Sequence, residues 1–194
     1  MLSAQFESGK GLGGTYTGHV TTLSGRAFMD LGSEQVLGMR LDVGKGDSLA
    51  RPFQLGGVSN ASLIPNVLDP LPASTTLNQR TYNLRGYGAG EAGLTGRSMA
   101  LASAEYRFPI RRIERGWLAP PLGLHQVYGQ IFVDAGRAGS SIQAAKTYAG
   151  VGAEIGADSI LFYALPVRMQ LGIAKGLDST LGGNQFYIRL GSSF

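Results

Sequence analysis

The residues best placed to do chemistry are two carboxylates, Glu105 and Asp134. Each lies on the polar side of an alternating segment, Glu105 with Ser103 and Arg107, and Asp134 with Gln130. If the segments are consecutive strands, the two carboxylates come within reach of each other. Such a pair could share general acid–base work. Arg107 beside them favours an ion-pair network instead. Arg85, in an Arg-Gly-Tyr turn, reads by itself as an exposed side chain that contributes almost nothing. The remaining reactive groups form no constellation. His19 and His125 lie far apart without a ligand partner, so neither a metal site nor a cofactor is expected. The chain has no cysteine, which excludes thiol catalysis, disulfides and thiolate metal sites. It has no Gly-x-Ser-x-Gly nucleophile motif, and the glycines from Gly9 to Gly14 read as a hairpin turn rather than a phosphate loop. The expectation is a protein that is not an enzyme.

The elements that must position these residues are strands. Only 15% of residues are charged, against about 25% in an ordinary soluble domain. No run of eighteen apolar residues offers a transmembrane helix. Alternation predicts eight strands: Leu2 to Ser8, Thr15 to Asp30, Gln35 to Gly44, Leu94 to Phe108, Gln126 to Ala135, Thr147 to Gly156, Leu165 to Ile173 and Gln185 to Phe194. Pro109 and the basic cluster Arg111, Arg112 and Arg115 are read as ending the fourth. The segment from Lys45 to Gly93, rich in Gly, Pro, Asn and Ser, is read as one long functional loop. The polar strand faces carry glycine and single charges of both signs rather than Lys and Glu runs. That pattern suits a closed polar lumen with an apolar face turned to lipid, in strands of about ten residues. The alternative is a soluble β-sandwich. The net charge of +4 is carried by scattered residues, so nucleic acid is not an expected partner. The segment after Met1 lacks an apolar signal region, so export would require a leader that has been removed, or a chain that starts within a longer protein.

Five segments resemble the bacterial surface-antigen family, which includes BamA, TamA and the two-partner secretion pores. Phe53-Gln54-Leu55-Gly56-Gly57 resembles the family's entry to its long inward-folded loop. Leu84-Arg85-Gly86-Tyr87 resembles the loop's tip. Glu105-Tyr106-Arg107-Phe108-Pro109 and Phe132-Val133-Asp134-Ala135-Gly136 resemble two wall strands, and Phe194 resembles the terminal aromatic residue read by assembly machinery. The motifs stand in the family's order over almost the whole chain.

The resemblance implies an all-β, antiparallel transmembrane barrel domain over residues 1–194, corresponding to the C-terminal eight strands of a family barrel of sixteen. The periplasmic POTRA repeats and the first eight strands have no counterpart. It implies a bacterial outer-membrane location, lipid contact, and assistance to insertion or translocation of client proteins; a passive structural or pore role is the alternative. It also implies roles for single residues. Arg85 would reach into the lumen and pair with Glu105 and Asp134. Gly86 would serve a tight turn or a close approach to the wall, and Tyr87 would pack on that wall. An eight-stranded lumen holds little more than its own side chains, so a loop folded inward leads to the expectation of a homodimer forming a sixteen-stranded barrel.

Overall fold

The computed structural model describes residues 2–8, 18–58, 80–117, 121–162 and 164–192. Among them are eleven strands: β1 (Leu2–Ser8), β2 (His19–Gly32), β3 (Gln35–Gly46), β4 (Phe53–Leu55), β5 (Thr81–Tyr82), β6 (Thr95–Gly96), β7 (Ser98–Trp117), β8 (Leu122–Gly139), β9 (Tyr148–Leu161), β10 (Leu165–Gly176) and β11 (Asn184–Ser192). Eight form one antiparallel sheet in the order β1-β2-β3-β7-β8-β9-β10-β11. Apart from the passage from β3 to β7, each strand pairs with its neighbour in sequence. Among the described residues β1 and β11 are unpaired edges, so the sheet is not closed.

Burial in the sheet is the reverse of that in a soluble sandwich. Along β10, Arg168, Gln170 and Ala174 are buried, while Met169, Leu171 and Ile173 are each about half exposed. The same holds on β11, where Arg189 is buried and Phe186, Ile188 and Leu190 are exposed. With Leu41, Ile131, Val133 and Ile155, these side chains make the convex face continuously apolar. A patch of that extent is not left to water in a soluble protein. It is the lipid-facing side of a membrane wall, and the polar side is concave and inward.

The described parts of the segment between β3 and β7, residues 47–58 and 80–97, pack on the concave side. These parts carry short secondary structure of their own. Here β4 pairs in parallel with β5 and antiparallel with β6, and a 3₁₀ turn spans Ala92–Leu94. Phe53, Leu55, Leu84, Tyr87 and Leu94 from this segment meet Met99 and Leu101 of β7, Ala138 of β8 and Tyr148 of β9, forming the apolar core of the molecule. The core is therefore a plug set against the inner wall. Gly44 makes room for it: a Cβ there would lie 2.6 Å from the Phe53 ring.

Several expected boundaries move. β3 runs two residues further, to Gly46, while the expected start of β2 at Thr15 lies outside the described residues. The largest change is in β7, which does not stop at Pro109 but continues to Trp117. Register shifts between Pro109 and Arg111, and again between Arg112 and Arg115, let the ladder pass. A bulge tolerates the missing proline N–H, which an unbroken ladder would not.

The apolar convex face yields a test. Leu171 lies mid-strand on that face and Gln170 on the opposite one. Leu171→Arg should lower folding stability in lipid vesicles by about 2–4 kcal/mol. Gln170→Arg, facing the polar interior, should cost less. Urea titration in vesicles measures both, and equal losses would contradict the assigned faces.

Candidate functional site

The wall strands set one cross-strand row in which Asp134 of β8, Gly150 of β9 and Gly176 of β10 are aligned. The loop tip lies directly on this row. A Cβ at Gly150 would sit 2.0 Å from the Arg85 carbonyl oxygen, and one at Gly176 would sit 2.4 Å from that of Gly86. Gly86 itself has φ +91°, and a Cβ on it would come 2.3 Å from the Gly176 nitrogen. Backbone rests on backbone here, which only glycine permits on both sides.

This close approach delivers the Arg85 side chain to the wall carboxylates. Its Nε donates to Asp134 Oδ2 at 2.7 Å and its Nη2 to Asp134 Oδ1 at 2.8 Å, a bidentate pair. Nη1 meets Glu105 Oε1 at 2.7 Å and Glu154 Oε1 at 3.3 Å. The guanidinium carbon lies 3.4 Å from the centroid of the Phe132 ring, stacking the cation on an aromatic face. Arg85 is 4% exposed, and Asp134, Glu105 and Glu154 no more than 3%. At such burial an unmatched charge would be expensive, and the partners occupy it from several sides.

The carboxylates are also held from behind. Gln130 Nε2 donates to Glu105 Oε2 at 2.9 Å. The Tyr187 hydroxyl donates to Glu154 Oε1 at 2.5 Å, and Arg189 pairs with Glu154 Oε2. Every oxygen of Asp134, Glu105 and Glu154 thus accepts from a named donor. The arrangement is an ion-pair network and does not hold a free base.

The rest of the tip is fixed by hydrogen bonds. The Tyr87 hydroxyl donates to the Ala149 carbonyl at 2.7 Å, and its ring meets Tyr148 edge-on at 5.7 Å between centroids. Gln185 accepts from the Gly86 N–H at 2.9 Å and donates to the Tyr87 carbonyl at 2.8 Å. At the loop end of the sheet the Asp178 N–H donates to the Tyr87 hydroxyl oxygen at 3.2 Å, and Lys146 pairs with the Asp178 carboxylate at 2.5 Å. That Lys146 contact, aided by the Thr180 hydroxyl, holds the Asp178 carboxyl well below the usual carboxylate range. In turn, the hydrogen bond to Asp178 holds the Lys146 ammonium above its ordinary value.

The structure brings Arg85, Gly86, Tyr87, Glu105 and Asp134 to one place. Phe194 lies outside the described residues. Sequence reasoning missed Glu154, Gln130, Gln185, Tyr187 and Arg189 as members of the site. Glu154 left a signal, as the only charge on the otherwise glycine-rich polar face of β9 between Gly150 and Gly156. Gln185 left none, since its contact spans 99 residues to Gly86.

A convex apolar sheet whose polar concave side is filled by a strapped-down loop is a wall of the outer-membrane barrel type. The Omp85 superfamily domain matches residues 1–194, and the chain belongs to that superfamily. Membership carries bacterial outer-membrane location and, at superfamily level, protein insertion and translocation. Neither the curated proteins nor the solved structures contain a match.

Two outcomes follow from this geometry. Arg85→Ala leaves the buried Asp134 carboxylate without its side-chain donors and takes one donor each from Glu105 and Glu154, and should destabilise the folded chain by about 3–5 kcal/mol. Arg85→Lys should restore only part, because an ammonium cannot reproduce the planar fork. Chemical unfolding in detergent, with limited proteolysis between residues 47 and 97, measures both losses.

The Lys146–Asp178 pair gives a pH dependence. Asp178 is depressed when folded, so its contribution is present above its unfolded value and lost as pH falls through the folded one. Lys146 is raised, so its contribution is present below its unfolded value and lost as pH rises through the folded one. Protection of the Gly86 amide should therefore be flat from about pH 5 to about pH 9, given ordinary reference values near 4 and 10, and should drop only outside that window. Lys146→Met should lower the plateau and reduce its sensitivity to salt.

Proposed function

We propose that this chain is a plugged barrel wall of the BamA/TamA type, which assists insertion or translocation of client proteins, and that it completes its barrel with a second copy of itself. The observation that carries the reading is the anchored plug beside two strand edges that are unpaired among the described residues. A barrel that only held a pore open would gain nothing from a loop strapped across its lumen by a buried guanidinium. A wall that must open needs a seal that holds while it is closed.

The edges supply the working surface. An unpaired strand offers its N–H and C=O groups to an incoming strand. In hydrocarbon each unmet group costs several kcal/mol, so the edges must be covered when no client is present. A second copy covers both at once. With eight consecutively antiparallel strands, β11 of one copy runs antiparallel to β1 of the other, and a twofold axis relates the two seams. The room needed for the plug supports this arrangement over closure of one chain on itself, because an eight-stranded barrel is filled by its own side chains.

The experiment has two arms. Phe6→Cys with Leu190→Cys, both exposed on the outer face, should cross-link to a double-chain mass; a single-chain mass overturns the pairing. Liposomes carrying the chain should fold and insert an unfolded outer-membrane barrel faster than empty liposomes. Equal rates would leave the passive structural or pore role as the answer.

A further inference from the structure

We infer that β11 is the latch of the plug, so that peeling of this edge strand from β10 and release of the loop tip are one event. The inference rests on the proposed opening of an edge and says which edge carries the control.

Three alternate inward residues of β11 all end on the tip or its anchor. Gln185 grips the tip's backbone at two points, accepting from the Gly86 N–H and donating to the Tyr87 carbonyl. This is the pattern by which a neighbouring strand would hold a peptide, made here by one side chain. Tyr187 donates to Glu154, and Arg189 pairs with the same carboxylate. Glu154 in turn meets the Arg85 guanidinium. Just before the strand, the Gly183 N–H donates to the Gly86 carbonyl at 3.0 Å.

The rest of β11's attachment is small. It pairs with β10 on one side, from Lys175↔Asn184 to Val167↔Ser192, and is an edge on the other. Its outer residues Phe186, Ile188 and Leu190 are 82%, 68% and 59% exposed, so little protein packs on them. The strand is held by one ladder, by Gln185 on the plug, and by Tyr187 and Arg189 on Glu154 of β9, the carboxylate that meets Arg85. β8 differs, since it carries Asp134 but is paired on both sides. A strand that displaces β11 from β10 must withdraw Gln185, Tyr187 and Arg189 together. The Gly86 amide then loses its acceptor, and Glu154 loses the two groups that position it under Arg85. Linkage makes the coupling reciprocal: whatever frees Arg85 must loosen β11. A partner strand that adds to the edge without peeling it leaves the plug in place.

Amide hydrogen exchange on the folded chain in detergent tests this without a client. In Arg85→Ala, amides of β11 should exchange about fivefold faster or more, the factor set by roughly one net hydrogen bond, and by a larger factor than those shared by β2 and β3, which carry no partner of Arg85. Because that variant also loses stability, a second one keeps every wild-type contact of the tip. Leu171→Cys with Ile188→Cys places a disulfide across a directly opposed β10–β11 pair on the outer face, in a chain that has no other cysteine. Oxidation should slow exchange at Gly86 and Gly183 by about fivefold or more relative to the reduced form. Unchanged β11 exchange in Arg85→Ala, or tip exchange indifferent to the disulfide, overturns the latch. The liposome assay reads separately: insertion activity with uncoupled exchange removes only the latch, and coupled exchange without insertion removes only the proposed function.

Discussion

One cation organises this molecule. The Arg85 guanidinium is buried in a concave polar wall, and a charge so placed must be matched almost completely or the loop that carries it will not stay. Matching it requires carboxylates from three successive strands, Glu105 on β7, Asp134 on β8 and Glu154 on β9. Those strands must hold register to within one residue, since a slip of one would turn the carboxylates toward lipid. The network therefore fixes the register of the wall and the position of the plug together. The apolar core of Phe53, Leu55, Leu84 and Tyr87 surrounds the tip that these charges hold.

The glycines are the steric counterpart of that charge. Gly150 and Gly176 on the wall and Gly86 on the tip remove the side chains that would hold the two backbones apart. Elsewhere on the wall, glycines accept aromatic rings from the next strand: Phe132 covers Gly152, Tyr128 covers Gly156 and Tyr187 covers Gly172. The ring of Phe132 is shared, lying over a glycine and under the Arg85 guanidinium. At these positions glycine reflects close approach rather than looseness.

Strand direction and facing were largely legible in the sequence, because period-two alternation maps directly onto the two sides of a sheet. The segment around Leu165 to Ile173 was read with its faces as they stand. What alternation could not reveal was where strands end. β7 passes Pro109 because bulges absorb it, and bulges have no simple residue signature when they carry Ile110 or Glu114. The site was legible where short motifs survive, at Arg85, Glu105 and Asp134. It was illegible where a partner is recognised only by folding, as with Gln185, whose side chain does the work of a strand for a peptide that is remote in sequence.

The convex face has a thermodynamic meaning. Leu41, Ile131, Ile155, Leu171, Ile188 and Leu190 remain outside when the chain folds, so most of their transfer from water is completed by lipid rather than by other residues. The concave core is modest and mixed with ion pairs. The free energy that holds the native state is accordingly a property of sequence and bilayer taken together. Thickness and composition of the surrounding lipid enter it on the same footing as a mutation would, and two membranes define two different stabilities for one unchanged chain.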